Sequence, residues 1–296
     1  MFFALAVFAQ TKTKDTTQSC VAYWHKGEIK NYTIIHTKEK IDNGKSISKA
    51  VFNYDAVITV LDSTKEGYTL QWDYKGTSSK KNEETAEMAL VLFKGLKIVY
   101  KTTATGEFKE LMNWEEVRDF YISMMQQSIP KNLDDSTKMM LEKTKALFGT
   151  REAVEATLIK EVTLLHVPHG YQYSTKGAVT QTTLPSPFGT DPIPALLSVK
   201  VTEFAPKQDF FRLVVNQRVN KEAALKMMRG VFEKMNVASQ KEIEEGLKMF
   251  TSFEVTDNSD YKISISTGWV SSLVHSRIVD TGSLRQAESY EITEAN

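Results

Sequence analysis

The segment "RIVDTGSL" holds the residues with the clearest chemical potential, because Asp280-Thr281-Gly282 matches the catalytic loop of aspartic proteases. Those proteases need two aspartates that share one proton. The sequence contains no second loop of this kind, so only a homodimer could supply the other carboxylate. Aspartate commonly starts turns and glycine adopts positive φ, so the motif predicts a hairpin turn rather than a proteolytic site.

Two histidines three residues apart, His166 and His169 in "LLHVPHGYQY", could lie on one side of a helix and bind a metal. Metal sites need three or more ligands with supporting hydrogen bonds, and Pro168 stands between these two. The HExxH pattern of zinc proteases is also missing. Both residues are therefore predicted to be helix caps or surface residues, with no metal and no cofactor.

Other catalytic signatures are lacking. Cys20 is the only cysteine, which excludes an intramolecular disulfide and a zinc site built on thiolates. No G-x-S-x-G elbow and no glycine-rich phosphate loop occurs. We therefore expect a protein that is not an enzyme. The alternative is a hydrolase of unrecognised type using His166/His169 or Asp280, which requires those side chains to converge in one cleft.

The methionines offer a different chemistry, because thioether side chains suit adaptable apolar surfaces. If helices carrying them covered a curved sheet, they could line a site for an apolar small molecule, although methionine more often fills a core. The candidate ligand-binding residues are three doublets in predicted helices: Met124, Met125, Met139, Met140, Met227 and Met228.

Strands are the first predicted elements along the chain. In "GYTLQWDYKG" the apolar residues Tyr68, Leu70, Trp72 and Tyr74 alternate with polar ones, which predicts a half-buried antiparallel strand. Similar extended runs fill residues 20–40, 46–62, 96–112, 195–204 and 209–219. A closing meander with glycine-bearing turns begins at residue 261.

Helices are predicted between these groups of strands. One precedes Gly95, one is capped by Asn113 with Glu116 in capping-box spacing, and one runs over "DDSTKMMLEKTKALFG". A continuous helix over "TREAVEATLIKEVTLLHV" is expected to be capped by Thr150, and two more follow Asn220. Four of the seven prolines lie in "LPSPFGTDPIP", which predicts an irregular connection.

The predicted fold class is α+β: a curved antiparallel sheet of half-barrel-like meanders with helices packed on one side. Residues 20–296 are expected to form a single domain, or alternatively two loosely similar lobes, 20–130 and 165–296, joined by a helical segment. Residues 10–19 are predicted to be a flexible tail.

Residues 1–9, "MFFALAVFA", resemble the apolar end of a secretory signal with Val7 and Ala9 at the cleavage positions and Gln10 as the first mature residue. The basic region that normally precedes such a segment is missing, which suggests that Met1 is an internal start. Nine apolar residues are too few to span a bilayer, and no later stretch is long enough, so no membrane span is expected. Acidic and basic residues balance at 37 each, which disfavours nucleic-acid binding.

Four segments resemble those of exported α+β proteins of the Bacteroidota, a domain of unknown function: "YWHKGEIKNYTI", "LKIVYKTTATGEFKELMNWEEVRDFY", "TTLPSPFGTDPIPA" and "STGWVSSLVHSRIV". The resemblance covers nearly the whole chain after the signal and implies export, but no activity. The expected function is that of a periplasmic or secreted envelope protein that binds an apolar small molecule or an envelope partner. A structural envelope scaffold without a pocket is a further alternative.

Overall fold

A computed structural model describes the protein over residues 15–75, 95–127, 134–184, 193–219, 221–235, 239–248 and 253–295. The helix predicted before Gly95 and most of the proline-rich connection lie outside these ranges.

The strands are β1 Thr17–Ser19, β2 Ile29–Asp42, β3 Lys45–Thr64, β4 Gly67–Lys75, β5 Lys97–Thr102, β6 Phe108–Leu111, β7 Gln172–Ser174, β8 Ala178–Leu184, β9 Ile193–Ala205, β10 Phe210–Val219, β11 Glu254–Ser264, β12 Val270–Asp280 and β13 Leu284–Glu294. The helices are α1 Trp114–Gln127, α2 Asp135–Leu147, α3 Arg151–Leu158, α4 Lys160–His166, α5 Lys221–Met235 and α6 Gln240–Lys248.

Eleven of the strands form one antiparallel sheet in the order β6-β5-β4-β3-β2-β13-β12-β11-β10-β9-β8, and the sheet does not close. The first long strand, β2, pairs with the last one, β13, at its centre. The two ranges that could have formed separate lobes therefore supply adjacent halves of the same sheet. The described chain has more sheet than helix, so the α+β class is met in the coarse sense of an antiparallel sheet with helices.

One face of the sheet, here called the buried face, carries the core. A cross-strand row of six buried residues crosses six strands on this face: Ile34, Ile292, Leu273, Tyr261, Leu213 and Val201. The predicted alternation in β4 is confirmed, because all four of its aromatic and leucine residues are buried and their neighbours are only partly so. Alternating side chains explain this pattern, since successive residues of a strand point to opposite faces.

Helices α1, α3 and α4 share the main core with the sheet through Val117, Val154 and Val162. The prediction of one continuous helix after Thr150 is wrong, because the helix breaks at Ile159. Ile159 is fully buried, and the neighbouring carbonyl of Leu158 accepts a hydrogen bond from the Tyr121 hydroxyl at 2.9 Å.

The two predicted helix caps behave differently. Thr150 caps α3 as expected, since its Oγ1 accepts a hydrogen bond from the Ala153 amide. The Asn113 side chain instead serves strand β5: its Oδ1 accepts from the Val99 amide at 2.9 Å, and its Nδ2 donates to the Lys97 carbonyl at 2.8 Å. Asn113 therefore ties α1 to the sheet rather than capping its amides.

Residues 20–28, here called the strap, cross one end of the sheet. The amides of Ala22 and Tyr23 donate to the carbonyls of Thr105 and Thr267 in two turns, and the Gly27 amide donates to the Val60 carbonyl of β3. Inside the strap, Trp24 stacks on Trp269 with ring centroids 4.3 Å apart. Three residues of the expected flexible tail, Thr17–Ser19, form β1 against β7 instead.

Candidate functional site

Both histidines of the sequence pair are buried beneath the strap. The expectation that they lie on the surface is therefore wrong. His166 ends α4, and His169 lies in the turn that follows it. Their ring centroids are 5.6 Å apart, and the Trp24 ring contacts both. A glycine is required beside them, because a Cβ on Gly106 would lie 2.6 Å from the His169 ring.

Hydrogen bonds fix the tautomer of each ring. His166 Nδ1 donates to the Gly106 carbonyl at 2.8 Å, which leaves Nε2 to accept from the Tyr100 hydroxyl at 3.1 Å. His169 Nε2 donates to the Gly268 carbonyl at 2.9 Å. Burial lowers the pKa of His166 to about 3 and that of His169 to about 4, so both rings are neutral at physiological pH.

A small cavity of about 10 Å³ lies among these rings and Trp269. His169 Nδ1 and Trp24 Nε1 both border it through their rings and have no hydrogen-bond partner among the described residues. Such a volume is close to the minimum that holds one water molecule. The cavity is too small for a substrate, and the described residues contain no group of three or more His, Cys, Asp or Glu that could hold a metal.

Asp280 is distant from the histidines. Val270 borders their cavity, and Asp280 lies ten residues farther along β12, about 33 Å away at the usual rise per residue. Asp280 Oδ1 accepts from the Gly282 amide at 2.8 Å, and Gly282 has φ +95°. The turn prediction is confirmed, and the three residues named for a hydrolase do not converge.

The methionine doublets are distributed over separate parts of the molecule. Met125 packs against the main core, whereas Met228 packs against a second cluster around Val219 and Val255. Met124 is partly buried and Met139 is exposed. The side chains of the remaining two candidates, Met140 and Met227, fall outside the described part of the chain.

A polar belt crosses the buried face between these two apolar clusters. Its members come from strands β2, β11, β12 and β13 and from the first turn of α4: His36, Asp257, Ser259, His275, Arg277, Glu288 and Lys160. The sequence does not reveal this belt, because β11 reads "EVTDNSDYKIS", where polar residues occupy both faces. Only the register of four strands brings the belt together.

Two ion pairs organise the polar belt. Both carboxylate oxygens of Asp257 accept from the Arg277 guanidinium at 2.7 Å, and the Arg277 side chain is 40% exposed. Glu288 accepts from Lys160 Nζ at 2.9 Å and from His36 Nε2 at 2.8 Å. Charges of both signs therefore balance locally within the belt.

These surroundings shift the pKa values of the belt. Burial alone would raise the pKa of Glu288, but the hydrogen bond from His36 and the Lys160 charge outweigh it and hold the pKa well below its usual value. Burial lowers the pKa of Lys160, aided by the Arg277 charge. Burial, with the Lys160 charge, lowers the pKa of His275 to about 4.

Ser259, His275 and Asp257 have the residue types of a hydrolytic triad but not its geometry. Ser259 Oγ lies 2.9 Å from His275 Nδ1, whereas His275 Nε2 lies 3.8 Å from Asp257, beyond hydrogen-bond length. The Asp257 carboxylate is already engaged by Arg277. Strand β11 is paired on both sides at Ser259, so no backbone amide is free there to stabilise an oxyanion. The geometry of Ser259, His275 and Asp257 therefore does not fit acyl transfer, and we interpret these residues as part of the polar network that joins the strands.

A buried carboxylate completes the interface between α4 and the sheet. Glu161 Oε1 accepts from the hydroxyls of Tyr54 at 3.1 Å and Tyr74 at 2.7 Å. Burial, followed by the Glu161 charge, raises the pKa of both tyrosines well above the usual value. Both tyrosines therefore remain protonated donors, and the cluster fixes the position of α4.

The two edges of the sheet differ in their protection. At the β6 edge, Glu155 of α3 accepts the Leu111 amide at 2.7 Å, and Arg151 pairs with Glu110 at 2.9 Å. At the other edge, residues 177–184 contain no charge and no proline. No described residue pairs with the side of β8 that faces away from β9, here called the open edge.

A concavity lies beside the open edge. It measures about 780 Å³ and is lined by Gln181, Thr182, Thr183, Pro194, Ala195, Leu196 and Arg218. Residues 185–192, which connect β8 to β9, lie outside the described ranges. Arg218 is already paired with Glu254, so the concavity offers no unpaired cation to a ligand.

None of the described helices combines the length and the hydrophobicity needed to cross a membrane. No family model matches this chain, and no curated protein matches it. The resemblance to exported Bacteroidota proteins therefore stays a prediction.

Proposed function

We propose that this protein is a non-enzymatic binding protein of the cell envelope, periplasmic or secreted, and that it binds a protein partner by adding a strand to β8. The signal-like residues 1–9 and the resemblance to exported proteins support the location. Among the described residues, the antiparallel sheet has no strand paired to its open edge, which leaves that edge for a partner.

The observation that carries this proposal is the contrast between the two edges. Unpaired edge strands attract other chains, and proteins normally protect them with charges, prolines, bulges or covering elements. The β6 edge has such protection from α3, whereas no residue of the described ranges protects the seven residues of β8. Addition of a strand to an exposed edge is a general mode of peptide recognition.

A protein partner fits the structure better than the apolar small molecule considered from the sequence. The buried face is filled by large side chains, among which Trp72, Tyr261 and Phe211 are fully buried. The cavity among the two histidines and Trp269 has room for about one water molecule. A scaffold without any binding edge remains the competing function, and it predicts that β8 contacts no partner.

Site-specific photocrosslinking in cells that naturally produce the protein tests this function. Benzoylphenylalanine replaces Gln181 on β8 or, as a control, Thr202, an exposed residue of β9 beyond the end of β8. We expect adducts of discrete mass from position 181 in the envelope fraction and none from position 202.

A second pair of variants makes this test specific to strand addition. Thr180→Lys with Thr182→Lys places charges on the open edge and should remove the adduct at position 181, because an edge lysine must be desolvated when a strand pairs there. The matched change Thr202→Lys should leave it intact. Equal crosslinking from both positions, or an adduct that survives the edge lysines, would contradict the proposed function.

A further inference from the structure

We infer that the partner of β8 is β8 of a second copy of this chain, paired antiparallel about a two-fold axis. The inference rests on the proposed binding role of the open edge and names its occupant. Two copies joined in this way would continue one 11-stranded sheet into the next. Such an interface is isologous, since the same strand serves both copies.

The sequence of β8 is complementary to itself in this arrangement. With the axis at Gln181, Thr180 lies opposite Thr182 of the partner subunit, and Val179 lies opposite Thr183 of the partner subunit. Cross-strand threonine pairs and contacts of β-branched side chains stabilise antiparallel strands. All seven residues of β8 take part in this register.

Charge distribution also favours a second copy. The nearest flanking cation, Lys176, lies before the first residue of β8 and pairs with Asp15. In an antiparallel pair, the two copies of Lys176 lie at opposite ends of the joined strands, about ten residues or 33 Å apart. No like charges therefore meet across the edge, so pairing requires no charge to be buried.

Two exposed apolar side chains beside the open edge would be buried by the same pairing. Val179 is 66% exposed, and Leu196, which lies opposite Gln181 on β9, is 49% exposed. Both lie on the face of the sheet away from the core, because alternate residues of β8 and β9 share that face. Burying them adds an apolar contribution to the backbone hydrogen bonds.

The dimer is expected to be of modest affinity. A seven-residue strand is about 24 Å long, and one strand pair falls below the ~1,200 Å² that marks a standard interface. We expect dissociation in the micromolar range, so that monomer and dimer coexist in dilute solution.

Cysteine crosslinking tests both the pairing and its register. In Gln181→Cys the two introduced thiols face each other across the axis within the Cα separation that a disulfide needs. In Val179→Cys they lie about four residues, or 13 Å, apart. The native Cys20 does not interfere, since it is buried and burial raises its pKa to about 12.

We expect mild oxidation of the full chain to give a disulfide dimer for Gln181→Cys and none for Val179→Cys alone. A mixture of Val179→Cys and Thr183→Cys chains should again crosslink.

Sedimentation of the unmodified chain should show an average mass that rises with concentration toward twice the monomer mass. The double variant Thr180→Lys with Thr182→Lys should lower that average mass, whereas Thr202→Lys should leave it unchanged. Circular dichroism checks that each variant is folded.

A monomer at all concentrations, or equal crosslinking of Gln181→Cys and Val179→Cys, overturns the inference. Its failure is distinguishable from failure of the proposed function by the mass of the photocrosslinked adduct at position 181. An adduct of twice the chain mass supports the second copy. An adduct with a different protein keeps β8 as a binding edge but assigns it to another partner.

Discussion

At the scale of single residues, polar groups on the buried face bind the helices to the sheet. Glu161 Oε1 accepts hydrogen bonds from two tyrosine hydroxyls, those of Tyr54 and Tyr74. Hydrogen bonds to charged groups contribute more than neutral ones. The carboxylate therefore stabilises the junction between α4 and strands β3 and β4.

Tyr74→Phe should reduce the free energy of unfolding by about 2 kcal/mol, because it leaves a buried carboxylate short of one donor. Tyr54→Phe, which removes the longer bond, should have a smaller effect of about 1 kcal/mol. Urea denaturation measures both. Tyr171→Phe, at an exposed tyrosine, is the control and should change stability by less than about 0.5 kcal/mol. Comparable losses at positions 74 and 171 would refute the role of Glu161 as a shared acceptor.

The buried histidines predict a dependence of stability on pH. The folded pKa of His169, about 4, lies below the unfolded value near 6.5, so the unfolded chain binds more protons between these values. The stability is complete above pH 6.5 and decreases as the pH falls toward 4, by about 2 kcal/mol per buried histidine between pH 7 and 5. His169→Gln should lessen that decrease by the same amount, measured by denaturation at both pH values. An unchanged pH dependence would exclude His169 as a contributor.

At the scale of elements, the strap depends on turns that only glycine can form. Gly268 has φ +74°, and a Cβ there would lie 2.2 Å from the Val21 carbonyl oxygen. Gly44 has a similar φ of +79° with nothing within 4 Å. The two positions therefore share the backbone requirement and differ only in contact with the strap.

Gly44→Ala should destabilise the protein by about 1 kcal/mol, the conformational cost of a left-handed alanine. Gly268→Ala should destabilise it by about 3 kcal/mol, because the strap must also move away. Thermal unfolding and the fluorescence of the stacked Trp24 and Trp269 measure the two effects. Equal destabilisation by both substitutions would show that the strap does not depend on this contact.

Strands and turns could be predicted from the sequence where the local residue pattern determines them. The clusters of side chains that depend on contacts between distant segments could not. The alternation of β4 and the turn at Asp280 follow from side-chain order and turn chemistry, and the structure confirms both. The break at Ile159 has no local signal, because the adjacent Leu158 carbonyl is bound by the hydroxyl of Tyr121, which belongs to a different helix. The polar belt depends on cross-strand register, which brings the side chains of His36 and Glu288 within hydrogen-bond distance although they lie 252 positions apart.

At the scale of the whole molecule, the central seam between β2 and β13 makes one unit of two sequence-distant halves. Each half contributes five strands besides β13, and β13 lies between them in the strand order. Ser289 pairs with Ser276 on one side and Thr37 on the other, so a proline there removes a ladder hydrogen bond within the sheet. The seam therefore controls whether the two halves unfold together.

Ser289→Pro should abolish cooperative folding, with a loss of about 3 kcal/mol or more, and Thr182→Pro at the open edge should be far milder, since edge strands tolerate proline. Hydrogen exchange reports on each half separately, through β4 on one side of the seam and β10 on the other. Faster exchange in both strands of the Ser289→Pro chain is expected, because a single sheet loses its centre. If only β10 exchanges faster while β4 stays protected, the halves are independent lobes and the seam is merely a contact between them.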